Sequence, residues 1–140
     1  MENTLPHAST ADAQFAFSKL VVHDLEASAG FYKSVFGLVE WQRVQSATER
    51  RSIDEISFLP TCPGGGSLTL IKFLGVPGPR PGEMIVGFTT NDIQALLERV
   101  VSAGGRVTKP VRSMPEHRLR VAFVADLEGH VIEVVQMDRT

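Results

Sequence analysis

Several ionisable side chains stand inside otherwise apolar, strand-like runs of this chain: Lys19, Glu55, Lys72, Arg120 and Glu133. Taking a charge out of water is costly unless it is paired or put to use, so this set calls for an explanation. One reading is acid–base chemistry. Glu133 would remove a proton next to a carbonyl as a general base, and Lys19 or Lys72 would neutralise the enolate or a substrate carboxylate. The other reading is an ion-pair network in which Lys19 or Lys72 holds Glu133. Glu55 and Arg120 join either set only if their strands are not solvated edges. Trp41, beside Arg43 in a further strand-like run, would line a rim or simply pack.

Other residues capable of chemistry lack the company they need. Cys62 lies in Thr61-Cys62-Pro63 with no basic neighbour, which fits an exposed loop thiol better than a nucleophile. Gly64–Gly66 does not lead a strand into a helix, so it is a turn and not a phosphate loop. His23 and His130 fall in turns, His117 in a loop beside Pro115, and His7 near the N-terminus. None shows metal-ligand spacing on one element.

The elements that position these residues come in two matching sets. Asp24 and Asp92, 68 positions apart, each end an apolar run and can cap a following helix; Gly37 and Gly104-Gly105 stand where those helices stop, Gly37 and Gly105 again being 68 apart. Leu25, Ala29, Tyr32 and Phe36 form one helical stripe, and Ile93, Leu96, Leu97, Val100 and Val101 form the other. Both stripes cover a sheet. One strand precedes and three follow each helix: Ala16–Val22, Val39–Val44, Glu55–Leu59 and Ser67–Phe73, then Met84–Thr89, a weak stretch near Arg106–Val107, Arg118–Ala125 and His130–Gln136. The predicted fold is therefore α+β, built from two tandem βαβββ modules. Residues 1–13 read as a flexible tail and 14–138 as one domain. The first module covers about 14–74, the Pro/Gly-rich segment 75–82 is a linker, and the second module covers about 83–138.

Bulk properties set limits. A net charge of −2 gives no electrostatic reason to expect nucleic acid or an anionic membrane surface. No apolar run reaches the ~20 residues that span a bilayer, and no leader pattern opens the chain. With one cysteine no intrachain disulfide can form, which points to a reducing, cytoplasmic setting.

The run from Leu20 to Ser28 with Phe31-Tyr32 and Phe36-Gly37-Leu38, and the run from Ala122 to His130 with Ile132-Glu133, resemble the opening and closing signatures of the vicinal oxygen chelate superfamily, which includes glyoxalases, bleomycin-resistance proteins and dioxygenases. The resemblance covers about residues 15 to 137. It implies that the two modules form a curled, cup-shaped mixed sheet of the glyoxalase-like fold with a small-molecule site inside the cup, frequent homodimers and, in metal-dependent members, one ligand from the first and last strand of each module. Carried onto this chain, those positions are Phe17, Leu70, Ile85 and Glu133, of which only Glu133 is a ligand type. The expectation is a site without metal or other cofactor, with Glu133, Lys19 and Lys72 catalytic and Phe17, Glu55, Leu70, Ile85, Arg120 and Trp41 lining a site for an anionic or neutral small molecule. The implied function is a glyoxalase-like lyase or isomerase acting on an α-oxygenated carbonyl compound. The alternatives are a non-catalytic binding or resistance protein and a metal-dependent lactoylglutathione lyase-like enzyme.

Overall fold

Both predicted helix starts use their aspartates. Asp24 accepts from the Ala27 amide at 3.0 Å and Asp92 from the Ala95 amide at 3.1 Å, filling one free donor of each first turn. The first helix, α1 (Leu25–Phe36), ends on Gly37 at φ 68°. The second, α2 (Ile93–Ser102), ends at Ala103, and Gly104 takes the left-handed turn at φ 92°.

A computed structural model describes residues 15–47, 52–75 and 84–138. Around α1 lie β1 (Phe17–Val21), β2 (Glu40–Ala47), β3 (Ser52–Phe58) and β4 (Ser67–Leu74); around α2 lie β5 (Ile85–Thr89), β6 (Arg106–Met114), β7 (Leu119–Ala125) and β8 (Val131–Met137). They form two four-stranded sheets of identical order, β1-β4-β3-β2 and β5-β8-β7-β6. In each, the first strand runs parallel to the last and the remaining pairs are antiparallel. This is the duplicated βαβββ arrangement that the two sets of helix signals predict. The expected N-terminal tail and nearly all of the expected linker lie outside the described residues. The second strand of the second module is much longer than the short stretch expected near Arg106–Val107.

One core serves both modules. Leu20, Ile56 and Leu70 of the first sheet and Val124, Ile132 and Val134 of the second are buried with Tyr32, Leu96 and Val100 of the helices. Contacts also cross between the halves. Phe36 of α1 stacks on Phe88 of β5 at 3.9 Å between centroids, and Arg99 Nε of α2 donates to the Val35 carbonyl at 2.9 Å. Side chains alternate along a strand, so each sheet turns one face to the helices and leaves the other open. No helix is long and apolar enough to cross a membrane among the described residues.

Candidate functional site

Residues paired across a ladder share a face, so the registers fix which side chains meet on the open faces. In the first sheet one open-face row reads Lys19, Thr69, Ser57, Gln42, and the next reads Val21, Ile71, Glu55, Val44. In the second the matching rows are Gly87, Glu133, Phe123, Lys109 and then Thr89, Val135, Val121, Arg112.

Three expected residues sit together on the first open face. Lys19 Nζ meets Glu55 Oε1 at 2.5 Å, while Ser57 and Thr69 share a hydrogen bond at 3.0 Å in the neighbouring row. Glu55 is buried, and Lys19, its cationic partner, lies near Phe17, 5.8 Å from that ring's centre. Phe17 and Ile85 begin β1 and β5, one edge strand of each sheet, and are 55% and 57% exposed. On the second open face Glu133 is half-buried and has no ion-pair partner among the described residues. Lys109, absent from the expected set, lies in the Glu133 row with its Nζ 5.1 Å from the centre of the Phe123 ring. A Cβ placed on Gly87 would meet nothing within 4 Å, so the strand next to Glu133 leaves open space beside the carboxylate.

The other expected residues are placed differently. Leu70 pairs with Leu20 and Ile56 and is 0% exposed, so it faces the helices and not the cup. Thr69 is the residue that occupies the position equivalent to Glu133. Lys72 pairs with Asp54, two residues along the strand from Leu70, and is therefore also on the helix side of its sheet. Arg120 pairs with Gln136 on the side of Ala122 and Val134, with Asp138 3.9 Å from its Nε. Trp41 stands at an irregularity in the β2 pairing and is 62% exposed. Neither Lys19 nor Lys72 holds Glu133.

A second cluster, which looks catalytic by composition, is an inter-module clamp. The Asp126–His130 turn reaches over the junction of β1 and α1. His130 Nδ1 lies 2.8 Å from Asp126 Oδ2 and Nε2 3.0 Å from the Val21 carbonyl oxygen; Tyr32 Oη donates to Asp126 at 2.9 Å. Glu128 accepts from the His23 and Asp24 amides at 2.7 Å each, and from the Ser28 hydroxyl at 3.2 Å, so its charge sits at the positive end of α1. Its bond to Asp126 lifts the His130 imidazole above the usual value despite burial. Burial alone would raise the Asp126 carboxyl, but the imidazole and the Tyr32 hydroxyl outweigh it and hold the group below its ordinary value. Burial, with Asp126 alongside, pushes the Tyr32 phenol well up. Both imidazole nitrogens are engaged, leaving none for a substrate or metal. The sequence signal was the closing signature itself, whose Asp and His carry structure.

The donor set on the open faces does not suit a divalent ion. Phe17 and Ile85 offer hydrocarbon, the Thr69 hydroxyl is bound to Ser57, and Glu133 is a single carboxylate. Among the described residues no group of three or more His, Cys, Asp or Glu side chains is placed to hold a metal.

Comparison with known proteins agrees with this architecture. The model of the glyoxalase/bleomycin resistance protein/dioxygenase superfamily matches residues 5–134. The chain belongs to that superfamily. Among solved structures, a glyoxalase family protein from Bacillus cereus superposes with a TM-score of 0.80 at 19% identity, over 96% of this chain and 100% of its own. A glyoxalase-related enzyme from Fulvimarina pelagi has 30% identity and a TM-score of 0.60, over 88% and 87% of the two chains. A glyoxalase I mutant from Zea mays matches 90% of this chain with 46% of its own, at 20% identity and a TM-score of 0.73. No curated protein matches. Superfamily membership accounts for the duplicated scaffold and its open faces, while the chemistry depends on the side chains placed there.

Proposed function

We propose that this superfamily member is a small-molecule enzyme, a lyase or isomerase acting on an α-oxygenated carbonyl compound without a metal, with Glu133 as the base. The observation that carries this reading is Glu133 itself: a half-buried carboxylate on an open sheet face, without an ion-pair partner among the described residues, beside the gap over Gly87. Unpaired carboxylates in partly desolvated places are costly, and catalytic use is the compensation this position offers. Glu133 takes a proton from a carbon next to the substrate carbonyl, and the C–H electron pair becomes the enolate. Returning the proton to the former carbonyl carbon, as the α-hydroxyl proton passes to the carbonyl oxygen, completes an isomerisation; loss of a leaving group from the β-carbon, taking its bonding pair, completes an elimination. The name of the Fulvimarina neighbour, a glyoxalase-related enzyme, points the same way.

The test is proton exchange into deuterated water for a panel of 2-hydroxy and 2-oxo carbonyl compounds, followed by proton NMR. Wild-type protein catalyses exchange of at least one compound, Glu133→Gln slows it by about 100-fold or more, and chelator leaves the wild-type rate unchanged. A panel that binds equally to both proteins and never exchanges would identify a non-catalytic binding protein instead. Rates abolished by chelator and restored by a divalent ion would identify a metal-dependent lyase.

The same proposal includes a homodimer. Phe17 and Ile85 occupy equivalent positions on the edge strands β1 and β5 and are each more than half exposed, as an isologous contact would use. Light scattering at micromolar concentration should give twice 15.3 kDa, and Phe17→Ser with Ile85→Ser should shift it to the monomer value.

A further inference from the structure

The two open faces share a scaffold but not a charge. On the first, Lys19 is neutralised by Glu55. On the second, β6 presents Arg106, Lys109 and Arg112, paired in the ladder with Ala125, Phe123 and Val121. Those partners lie in the rows of Val131, Glu133 and Val135, so all three cations share the face of Glu133. Regular alternation would give that face to positions 106, 108, 110 and 112 and turn 109 away. Two register shifts, between Val107 and Lys109 and between Lys109 and Arg112, reset the parity, so Lys109 turns toward Glu133 while Val111 packs on the core. Bulges that re-aim one side chain in this way are features with a purpose. None of the three cations has a carboxylate within ion-pairing distance among the described residues. Lys109 lies over Phe123, and Arg112 reaches only the Met114 sulfur at 3.8 Å. The corresponding row positions of the first sheet hold Gln42 and Val44.

We propose that Lys109 and Arg112 form an anion subsite for the substrate's carboxylate, on the same sheet face as Glu133, so that the substrate is an organic acid whose reacting carbon lies next to its carbonyl. This rests on the reading of Glu133 given above and adds the substrate's charge to it. Neighbouring strands are about 4.8 Å apart, so Lys109 lies two strands, or about 10 Å, across the sheet from Glu133. Lys109, reaching back over Phe123, brings a bound carboxylate within a small molecule's length of the base. The guanidinium of Arg112 can take the carboxylate through two parallel N–H donors.

The probes are phenylpyruvate and its uncharged amide, whose dissociation constants are measured by NMR titration, with exchange at their enolisable carbon recorded in the same samples. Wild-type protein binds phenylpyruvate about tenfold more tightly than the amide, as two charge-assisted contacts predict. Lys109→Gln and Arg112→Gln each reduce that preference, and the double variant removes it, while Lys33→Gln on α1 keeps it. Equal binding of acid and amide by wild type, a preference that survives the double variant, or no binding of either probe would overturn the proposal. Exchange without any preference for the acid would refute this subsite and leave the enzyme reading standing. A preference without exchange would keep the subsite and refute the base.

Discussion

Lys19 and Glu55 show what a buried carboxylate demands of its neighbours. Glu55 keeps 10% of its side chain exposed while Lys19 keeps 42%, so the ammonium stays partly hydrated and the carboxylate depends on it. Replacing one partner leaves a charge stranded; replacing both with hydrocarbon removes the problem. Lys19→Met should therefore destabilise the fold by about 1 kcal/mol, the value for a fully buried pair being discounted for the exposure of Lys19. Lys19→Met with Glu55→Leu should recover most of that loss in a urea-unfolding double-mutant cycle, and simple additivity of the two effects would refute the pairing energy. That Lys19 and Glu55 occupy one face follows from strand alternation and was legible in the sequence. Their partnership was not, because it depends on which strands are neighbours. Leu70 shows the same limit more sharply. The loop between β3 and β4 is longer than the turn between β7 and β8, so the constant offset that relates the helices does not extend to these strands. A one-residue slip there exchanges Thr69 for Leu70 and turns the position from the cup to the core.

Elements were legible in proportion to how regular they are. Both helices could be read from their caps and stripes, whereas β6 could not, since its register shifts break the alternation by which a strand is recognised. Pro110 fits only because β6 is an edge strand, where a missing ladder donor costs little. The end of α2 shows two glycines doing different work. Of the Gly104-Gly105 pair expected as the stop, Gly104 supplies the left-handed turn and Gly105 is needed for space. A Cβ on Gly105 would lie 2.7 Å from the Ala125 carbonyl oxygen, 2.8 Å from a Phe31 ring carbon and 2.9 Å from a Val100 methyl. These neighbours belong to β7 and α2 of the same module and α1 of the other, so the added methyl would crowd both the second module and its junction with the first. Gly105→Ala should cost about 1–3 kcal/mol by overpacking, read as a lowered urea midpoint. An unchanged midpoint would mean that the junction can open without loss.

At the scale of the whole molecule, the two modules are held together by a clamp that titrates. His130 faces Asp126 and the Val21 carbonyl, Asp126 faces Tyr32, and Glu128 sits at the start of α1 alongside the Asp24 cap, so the turn brings one imidazole and two carboxylates to a junction that already holds the Asp24 carboxylate. A raised imidazole favours the folded state most fully below its ordinary value of 6.5, and this contribution is lost as pH climbs through the higher folded-state value. A lowered carboxyl contributes fully above its ordinary value of 3.8 and loses that contribution as pH falls through the lower folded-state value. The pair therefore contributes its full stabilisation between 3.8 and 6.5 and progressively less on either side. His130→Gln should lower unfolding stability by about 1–3 kcal/mol within that window, since it leaves Asp126 buried without its cation. The difference between wild type and variant should shrink above it, because the wild type loses its charged partner there as well. Urea titrations of both proteins from pH 4 to 9 measure this directly. Parallel stability profiles across that range would mean that His130 is neutral throughout, joining the modules by hydrogen bonds alone.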